Sequence, residues 1–193
     1  MQQSARSYKR IVIKIGSSLF CADKEKSSCL RFEEVARQVS SLISSGKEII
    51  IVSSGAIAMG MELLALEARP KELPYLQAAA AIGQNALMDN YSRAFGGHKI
   101  NCAQLLLTWD DFDNRKRYLN AKNTLEALLK LKSVPVINEN DTVSTEEIKF
   151  GDNDRLSALV ASLISADLLV ILSDVEGLLD KNKKVIRIID EIG

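Results

Sequence analysis

Apolar and polar positions along the chain follow two alternating rhythms, which predict strands and helices in turn. Short, nearly continuous apolar runs rich in β-branched residues predict strands buried on both faces. These runs are 10–15, 48–52, 103–108, 134–137 and 166–172. In the intervening segments apolar residues recur every three or four positions, which predicts amphipathic helices. These segments are 30–44, 76–91, 118–132 and 156–164.

The alternation of strand and helix predicts an α/β fold. Helices on both faces of a mainly parallel central sheet would give a three-layer α/β/α sandwich with right-handed crossovers. A chain of 193 residues with 47% hydrophobic residues can bury the core of one ordinary domain. We therefore expect one domain over residues 9–193, preceded by a disordered polar segment at residues 1–8.

The overall charge excludes some classes of partner. Lys and Arg total 25 and Asp and Glu total 25, so no net field would attract nucleic acid or an anionic membrane. The three cysteines, Cys21, Cys29 and Cys102, lack metal-site spacing and are predicted to be free thiols. No apolar signal-peptide region precedes the first strand, so we expect a soluble, cytoplasmic protein without a metal site.

Two loops at strand ends have the composition of anion-binding segments. Lys14 lies near the end of the first strand, and Gly16 and Ser17 follow it. Glycine allows close approach of a phosphate to the backbone while the lysine neutralises its charge. Ser54 and Gly55 follow the second strand. If a helix begins at Ala56, the N–H groups at its start can donate hydrogen bonds to a carboxylate or phosphate.

The fourth strand is followed directly by hydrogen-bonding side chains. Asn138 to Asp141 come first, and a second cluster, Asp152 to Asp154, follows about ten residues later. A solvated turn is the alternative for the first cluster. The second cluster favours a ligand site, because ligands of open α/β sheets bind beyond the carboxyl ends of the strands. Asp141 could pair with the amine of a small polar ligand.

These loops favour phosphoryl transfer over other chemistries. Positioning and charge neutralisation supply nearly all of the catalysis in that reaction. His98 is the sole histidine, so a Ser-His-Asp triad is excluded, and no Gly-x-Gly-x-x-Gly fingerprint follows the first strand. Hydrolase and dehydrogenase functions are therefore disfavoured.

Several segments, in order along the chain, resemble those of the glutamate 5-kinase family of the amino acid kinase superfamily. The pair Ile-Asn-Glu-Asn-Asp and Gly-Asp-Asn-Asp is the most specific match, whereas Lys-x-Gly is shared with related kinases. The matching segments are 13–18, 52–58, 77–84, 104–108, 117–121, 137–144 and 150–154.

The resemblance implies roles for individual residues. Lys14 would neutralise the transferring phosphoryl group, and Asp154 would orient the catalytic lysine by charge pairing. The implied phosphate- and nucleotide-binding residues are Lys14, Gly16, Ser17, Ser173 and Asp174. The implied substrate-binding residues are Ser54, Gly55, Asn138, Asp141, Asp152 and Asn153, with Glu139 close to them.

The resemblance also implies the reaction and its partners. The expected activity is phosphorylation of the γ-carboxylate of L-glutamate by ATP with Mg²⁺, the first step of proline synthesis. Homo-oligomers and inhibition by L-proline are common in the family. The family's later Gly-Gly-Met and Thr-Lys segment does not occur in these 193 residues, so we expect the carboxy-terminal part of the fold to be missing. The alternative functions are a non-catalytic amino-acid-binding module and a kinase acting on another carboxylate or on carbamate.

Overall fold

The computed structural model describes residues 8–21, 28–144, 153–173, 177 and 184–186. The predicted disordered segment, 1–8, lies almost wholly outside these ranges. Asp152 and Asp174, two of the predicted site residues, also lie outside them.

Five parallel strands form a single sheet among the described residues. The strand order is β3-β4-β2-β1-β5, and every neighbouring pair is parallel. The strands are β1 (Arg10–Ile15), β2 (Glu48–Ser53), β3 (Cys102–Leu107), β4 (Val134–Glu139) and β5 (Leu168–Leu172). The predicted strands and their parallel arrangement are therefore confirmed.

Helices connect the strands, and each predicted helix is present with bounds shifted by a few residues. They are α1 (Ser18–Cys21), α2 (Ser28–Ser44), α3 (Ala56–Leu63), α4 (Leu73–Gly96), α5 (Asp110–Asp113), α6 (Arg115–Lys130) and α7 (Asp154–Leu163). The helix α4 begins three residues before the predicted start. Pro74 stands in its first turn, where a missing N–H costs nothing because that N–H has no helical partner.

Alternate residues of each central strand enter two separate cores. Ile49 and Ile51 of β2 pack in the core that contains Phe32 of α2 and Tyr91 of α4. Ile50 and Val52 face the opposite core, which contains Leu125 of α6 and Val160 of α7. The sheet is thus covered on both faces, as the three-layer prediction requires.

Helices α3 and α4 touch through their backbones, and glycines make this contact possible. A Cβ atom added at Gly60 would lie 1.8 Å from the Ala79 carbonyl oxygen, and one added at Gly83 would lie 1.8 Å from the Ala56 carbonyl oxygen. Both distances are far below van der Waals contact. The two glycines therefore fix the position of α3, and with it the loop that precedes α3 at the end of β2.

The carboxyl ends of the central strands bring the predicted loops to one edge of the sheet. The Gly16 N–H donates to the Leu172 carbonyl (3.2 Å), and the Ser54 N–H donates to the Ile15 carbonyl (3.0 Å). Strand β4 extends two residues past its predicted end, so Asn138 and Glu139 are buried strand residues. The solvated-turn alternative is therefore wrong for these two positions.

Candidate functional site

A lysine and an aspartate form an ion pair at the end of β1. The Lys14 Nζ lies 2.6 Å from the Asp154 Oδ1, with side-chain exposures of 8% and 42%. Alternation along β1 places Lys14 on the same face as Val12, which packs in the α6–α7 core. Since Asp154 is the first residue of α7, the packing of α7 on this face brings the carboxylate to the ammonium group. The pair fixes a buried cation at the edge where ligands of parallel sheets bind.

The loop after β1 leaves space beside this ammonium group. A Cβ atom at Gly16 would lie 3.9 Å from the Lys14 Nζ and 3.4 Å from the Leu172 carbonyl oxygen. A side chain here would therefore occupy the approach to the lysine. The glycine keeps that approach open to an anionic group.

Buried amides connect three elements around the site. Asn153 is fully buried, and its Nδ2 donates to the Ser53 carbonyl (3.1 Å), the Ser54 Oγ (2.9 Å) and the Asn138 Oδ1 (2.9 Å). The Asn138 Nδ2 in turn donates to the Gln84 Oε1 at 3.0 Å. This network ties the ends of β2 and β4 to the start of α7 and to α4, and hydrogen-bonded buried amides of this kind hold their partners rigidly.

Two acidic side chains are buried at the end of β4. Glu139 is 4% exposed and accepts a hydrogen bond from the Ser144 hydroxyl, and Asp141 is 5% exposed. Burial, together with the nearby Glu139 charge, raises the pKa of Asp141 to about 7, while Arg69 acts in the opposite direction. The Asp141 Oδ1 is buried without a hydrogen-bond partner in the described part of the chain. An unpaired buried carboxylate oxygen is costly unless a ligand completes it.

A small cavity of about 70 Å³ joins several of these groups. Its lining consists of Ser17, Ser54, Gly55, Ala56, Ile57, Ala58, Arg69, Asn138 and Asp141. Gly55 precedes α3 with a left-handed φ of 112°, and its backbone position is favourable only for glycine. No side chain of the described residues caps α3, so its first N–H groups are available to a carboxylate at the cavity wall.

The structure thus brings together most of the predicted site residues that it describes. Ser17, Ser54, Gly55, Asn138 and Asp141 line one cavity. Lys14, Gly16, Asn153 and Asp154 lie beside it through the contacts given above. Ser173 is exposed just after β5, at the same carboxyl edge of the sheet.

Two polar residues near the site, Gln84 and Arg69, were not predicted. Gln84 stands on the buried face of α4 with Leu76, Ala80 and Leu87. Gln84 lies four residues after Ala80, so the two share one face of the helix. This spacing could have indicated that the glutamine is buried and hydrogen-bonded. Arg69 lies between α3 and α4, and no periodic pattern marks it.

Three further features of the described residues concern metal ligands, thiols and membrane spans. Among these residues, no group of three His, Cys, Asp or Glu side chains could hold a metal ion. Cys29 and Cys102 are free thiols. None of the helices over the described ranges has the length and apolarity needed to cross a bilayer.

The fold is similar to that of a solved carbamate kinase. The carbamate kinase of Giardia superposes with a TM-score of 0.60 over 89% of this chain and 76% of that protein. The two sequences are 17% identical, so this likeness concerns the fold alone.

Sequence comparison then identifies the family. Residues 9–193 match the amino acid kinase family, and the chain belongs to it. It is similar to the glutamate 5-kinases of Aromatoleum aromaticum (52% identity over 92% of this chain and 48% of the relative) and Caldanaerobacter subterraneus (50% identity over 94% and 50%). It is also 51% identical to the glutamate 5-kinase of Geobacter metallireducens over 93% of this chain and 48% of the relative. The chain spans about half the length of these curated relatives.

Proposed function

We propose that the protein containing this chain transfers a phosphoryl group from ATP to the γ-carboxylate of L-glutamate. The observation that carries this proposal is the Lys14–Asp154 ion pair beside a cavity. Among the described residues, the cavity wall has an acid with an unpaired oxygen and helix N–H groups without a side-chain cap. An amine and two carboxylates are the groups such a site would recognise. The similarity to glutamate 5-kinases over more than nine-tenths of the chain supports the same activity.

The cavity residues would bind the amino acid. The Asp141 carboxylate would pair with the substrate amine, because its Oδ1 lacks a partner among the described residues. The N–H groups that follow Ser54 and Gly55 at the start of α3 would donate hydrogen bonds to a carboxylate of the substrate. The hydrogen bonds of Asn153 to Asn138 and Ser54 would keep the ends of β4 and β2 in place around the substrate. Asp152, adjacent in sequence to Asn153, is proposed as a further substrate-binding residue on the resemblance alone.

Lys14 and its neighbours would act on the phosphoryl group. The ammonium would neutralise the charge that moves with the group, and Asp154 would keep the ammonium in place. Gly16 and Ser17 would form the adjoining backbone cradle. No nucleophile from the protein is required, since the substrate carboxylate itself attacks and positioning supplies most of the catalysis.

The residues at this edge fit a nucleotide phosphate. The open space at Gly16 lies against the Lys14 ammonium, which is the arrangement a phosphate needs. Ser173 and Asp174 are proposed to line the nucleotide site because they follow β5, the neighbour of β1. ATP supplies the phosphoryl group, and Mg²⁺ is commonly held by nucleotide phosphates with one or two carboxylates.

We further propose a cytoplasmic homo-oligomer that L-proline inhibits. Oligomerisation and inhibition by proline are proposed from the family resemblance, and the free thiols Cys29 and Cys102 fit a reducing compartment. Balanced charge gives no reason to expect nucleic acid as a partner.

Trapping the acyl phosphate tests the activity. In the native-length polypeptide, glutamate-dependent ATP turnover with hydroxylamine should produce glutamyl hydroxamate. Lys14→Ala should reduce the rate by about 10² to 10³, as expected for loss of a preorganised charge. Lys130→Ala, an exposed lysine at the end of α6, is the matched control and should behave like the parent protein. Absence of hydroxamate in the parent, or a Lys14→Ala variant as active as the parent, would refute the proposal.

The same protein separates the alternative functions. A panel of carboxylates and carbamate should identify glutamate as the best acceptor, and another preferred acceptor would indicate a sister kinase. Calorimetry that detects glutamate or proline but never ATP would instead support a non-catalytic binding module.

A further inference from the structure

We propose that Arg69 binds the α-carboxylate of the amino-acid substrate opposite Asp141, and so selects α-amino acids over other amines with a carboxylate. This inference rests on the proposed function and names a substrate-binding residue that the sequence patterns do not indicate.

The charges on the cavity wall support the assignment. Of the described residues that line the cavity, Arg69 is the one cation and Asp141 the one acid. Asp141 is 5% exposed, and its Oδ1 has no hydrogen-bond partner among the described residues. Arg69 lies near enough to favour the charged form of Asp141 electrostatically. The wall thus presents one charge of each sign, as a zwitterion requires.

Arg69 has its donors available for a ligand. Within the described part of the chain, none of the ion pairs includes Arg69, and its side chain is exposed at the cavity. Its planar guanidinium can donate two parallel hydrogen bonds to one carboxylate. The free donors therefore suit a carboxylate supplied by the ligand.

The two ends of the cavity differ, and the difference decides which carboxylate Arg69 binds. A Cβ atom at Gly55 would lie 3.9 Å from the Ser17 Cα, so the start of α3 adjoins the loop that leads back to Gly16. That loop lies against the Lys14 ammonium. The reacting γ-carboxylate belongs at this phosphoryl end. The amine and the α-carboxylate share one carbon atom, so an amine on Asp141 places the α-carboxylate close to Asp141 and Arg69.

Arg69 should control selectivity between ligands as well as affinity for glutamate. L-Glutamate carries the α-carboxylate, whereas 4-aminobutyrate keeps the amine and the reacting carboxylate but lacks it. If Arg69 binds the α-carboxylate, removing either the arginine or the α-carboxylate should remove the same interaction. Once either the arginine or the α-carboxylate has been removed, removing the other as well should weaken binding little further.

Three variants of the native-length protein test this prediction. Arg69→Gln should raise the KM for L-glutamate about 10- to 100-fold, the loss typical of a hydrogen-bonded charge pair, with kcat changed much less. Arg69→Lys should recover part of this loss, because it keeps the charge without the planar fork. Lys71→Gln is the matched control, an exposed cation two residues away that does not line the cavity, and should resemble the parent.

Inhibition by 4-aminobutyrate, measured in competition with glutamate, completes the cycle. The Arg69→Gln variant should bind 4-aminobutyrate about as well as the parent does, although it binds glutamate less well. Equal losses for the two ligands, or an Arg69→Gln variant indistinguishable from Lys71→Gln, would overturn the inference while glutamate turnover in the parent leaves the proposed function intact. Absence of glutamate binding and turnover in the parent would instead refute the proposed function.

Discussion

Two carboxylates in the site, Asp141 and Asp154, differ in their surroundings and should therefore differ in their roles. Asp141 is nearly fully buried and has an oxygen without a hydrogen-bond partner in the part of the chain that the structure describes, whereas Asp154 is partly exposed and paired with Lys14. A buried carboxylate that lacks a partner gains most from a cationic ligand, so Asp141 should control affinity. A carboxylate that orients an ammonium group acts on the reacting group through that ammonium, so Asp154 should control turnover.

Replacing Asp154 by Asn should lower kcat and leave glutamate affinity nearly unchanged. The substitution keeps the shape of the side chain but removes the charge that holds the Lys14 Nζ at 2.6 Å. A misplaced preorganised charge should reduce kcat by about 10² to 10³. Steady-state kinetics over a range of glutamate concentrations measures both parameters. Asp113→Asn on α5 is the control, and a rise in the KM for glutamate as large as the fall in kcat would contradict the division of roles.

Glutamate binding should weaken as the pH falls through neutrality. Because the pKa of Asp141 is raised to about 7, the ligand-free protein holds a proton there at pH values below 7. Pairing with the substrate amine requires the carboxylate form, so binding must release that proton. The apparent affinity should fall about tenfold between pH 8 and pH 6, which corresponds to the change in the ionised fraction.

Calorimetry in buffers of different ionisation enthalpy would count the released protons near pH 6. Asp141→Asn should bind glutamate weakly at all pH values and release no proton. The effect of pH on stability is opposite to its effect on binding. The folded protein keeps the Asp141 proton up to a pH of about 7, whereas the unfolded chain loses it above a pH of about 3.8. The free energy of unfolding therefore falls as the pH rises from about 3.8 to about 7. An unchanged affinity between pH 6 and pH 8 would contradict the assignment of Asp141 to the amine.

At the scale of elements, the contact between α3 and α4 fixes the position of the cavity wall. The start of α3 supplies the N–H groups of the site, and α4 supplies Gln84, which accepts the hydrogen bond from Asn138. Gly83, next to Gln84, allows the backbones of the two helices to touch. Packing of this helix pair thus fixes the positions of the N–H groups that we propose bind a carboxylate and of one end of the amide network.

Replacing Gly83 by Ala should destabilise the protein strongly. The new Cβ atom would lie 1.8 Å from a carbonyl oxygen, so the two helices would have to separate. Overpacking of this kind costs about 1 to 3 kcal/mol or more. Gly96→Ala in the same helix is the control, because its Cβ would meet no atom within 4 Å. Chemical denaturation compares the two, and equal midpoints would show that the helix contact is not as tight as described.

At the scale of the molecule, features that arise from local sequence patterns could be predicted, whereas features that depend on contacts between distant segments could not. The strands β1 and β2 could be predicted because burial on both faces leaves a continuous apolar run in the sequence. The end of β4 could not, because Asn138 and Glu139 are polar and remain in the strand through contacts with other elements. Local pattern favours a turn for such residues, and tertiary packing overrides it.

The same distinction explains the candidate site. Lys14 lies near the end of β1, Ser54 directly follows β2, and Asp141 lies two residues after β4. The rule that ligands bind at the carboxyl ends of parallel strands therefore predicts all three at one edge of the sheet. Arg69 reaches the cavity from the connection between α3 and α4, and Gln84 reaches the network from the middle of a helix. Their positions depend on how α4 packs, which no local pattern specifies.

The order of the strands finally predicts how stability is distributed over the sheet. Strand β2 pairs with β1 and β4 and is almost fully buried, whereas β3 pairs only with β4 and β5 only with β1 among the described residues. Backbone amides on an edge strand open without separating two neighbours, so they exchange with solvent at a lower free-energy cost.

Hydrogen exchange followed by mass spectrometry on the 193-residue chain should therefore show slowest exchange in peptides covering Glu48–Ser53. Peptides covering Cys102–Leu107 and Leu168–Leu172 should exchange faster by about tenfold or more, because most side chains of β3 and β5 are half-exposed or exposed and each strand pairs with one neighbour among the described residues. The comparison between strands within one sample removes differences in preparation. Exchange as slow in Leu168–Leu172 as in Glu48–Ser53 would mean that β5 is protected as a central strand, contrary to the order described.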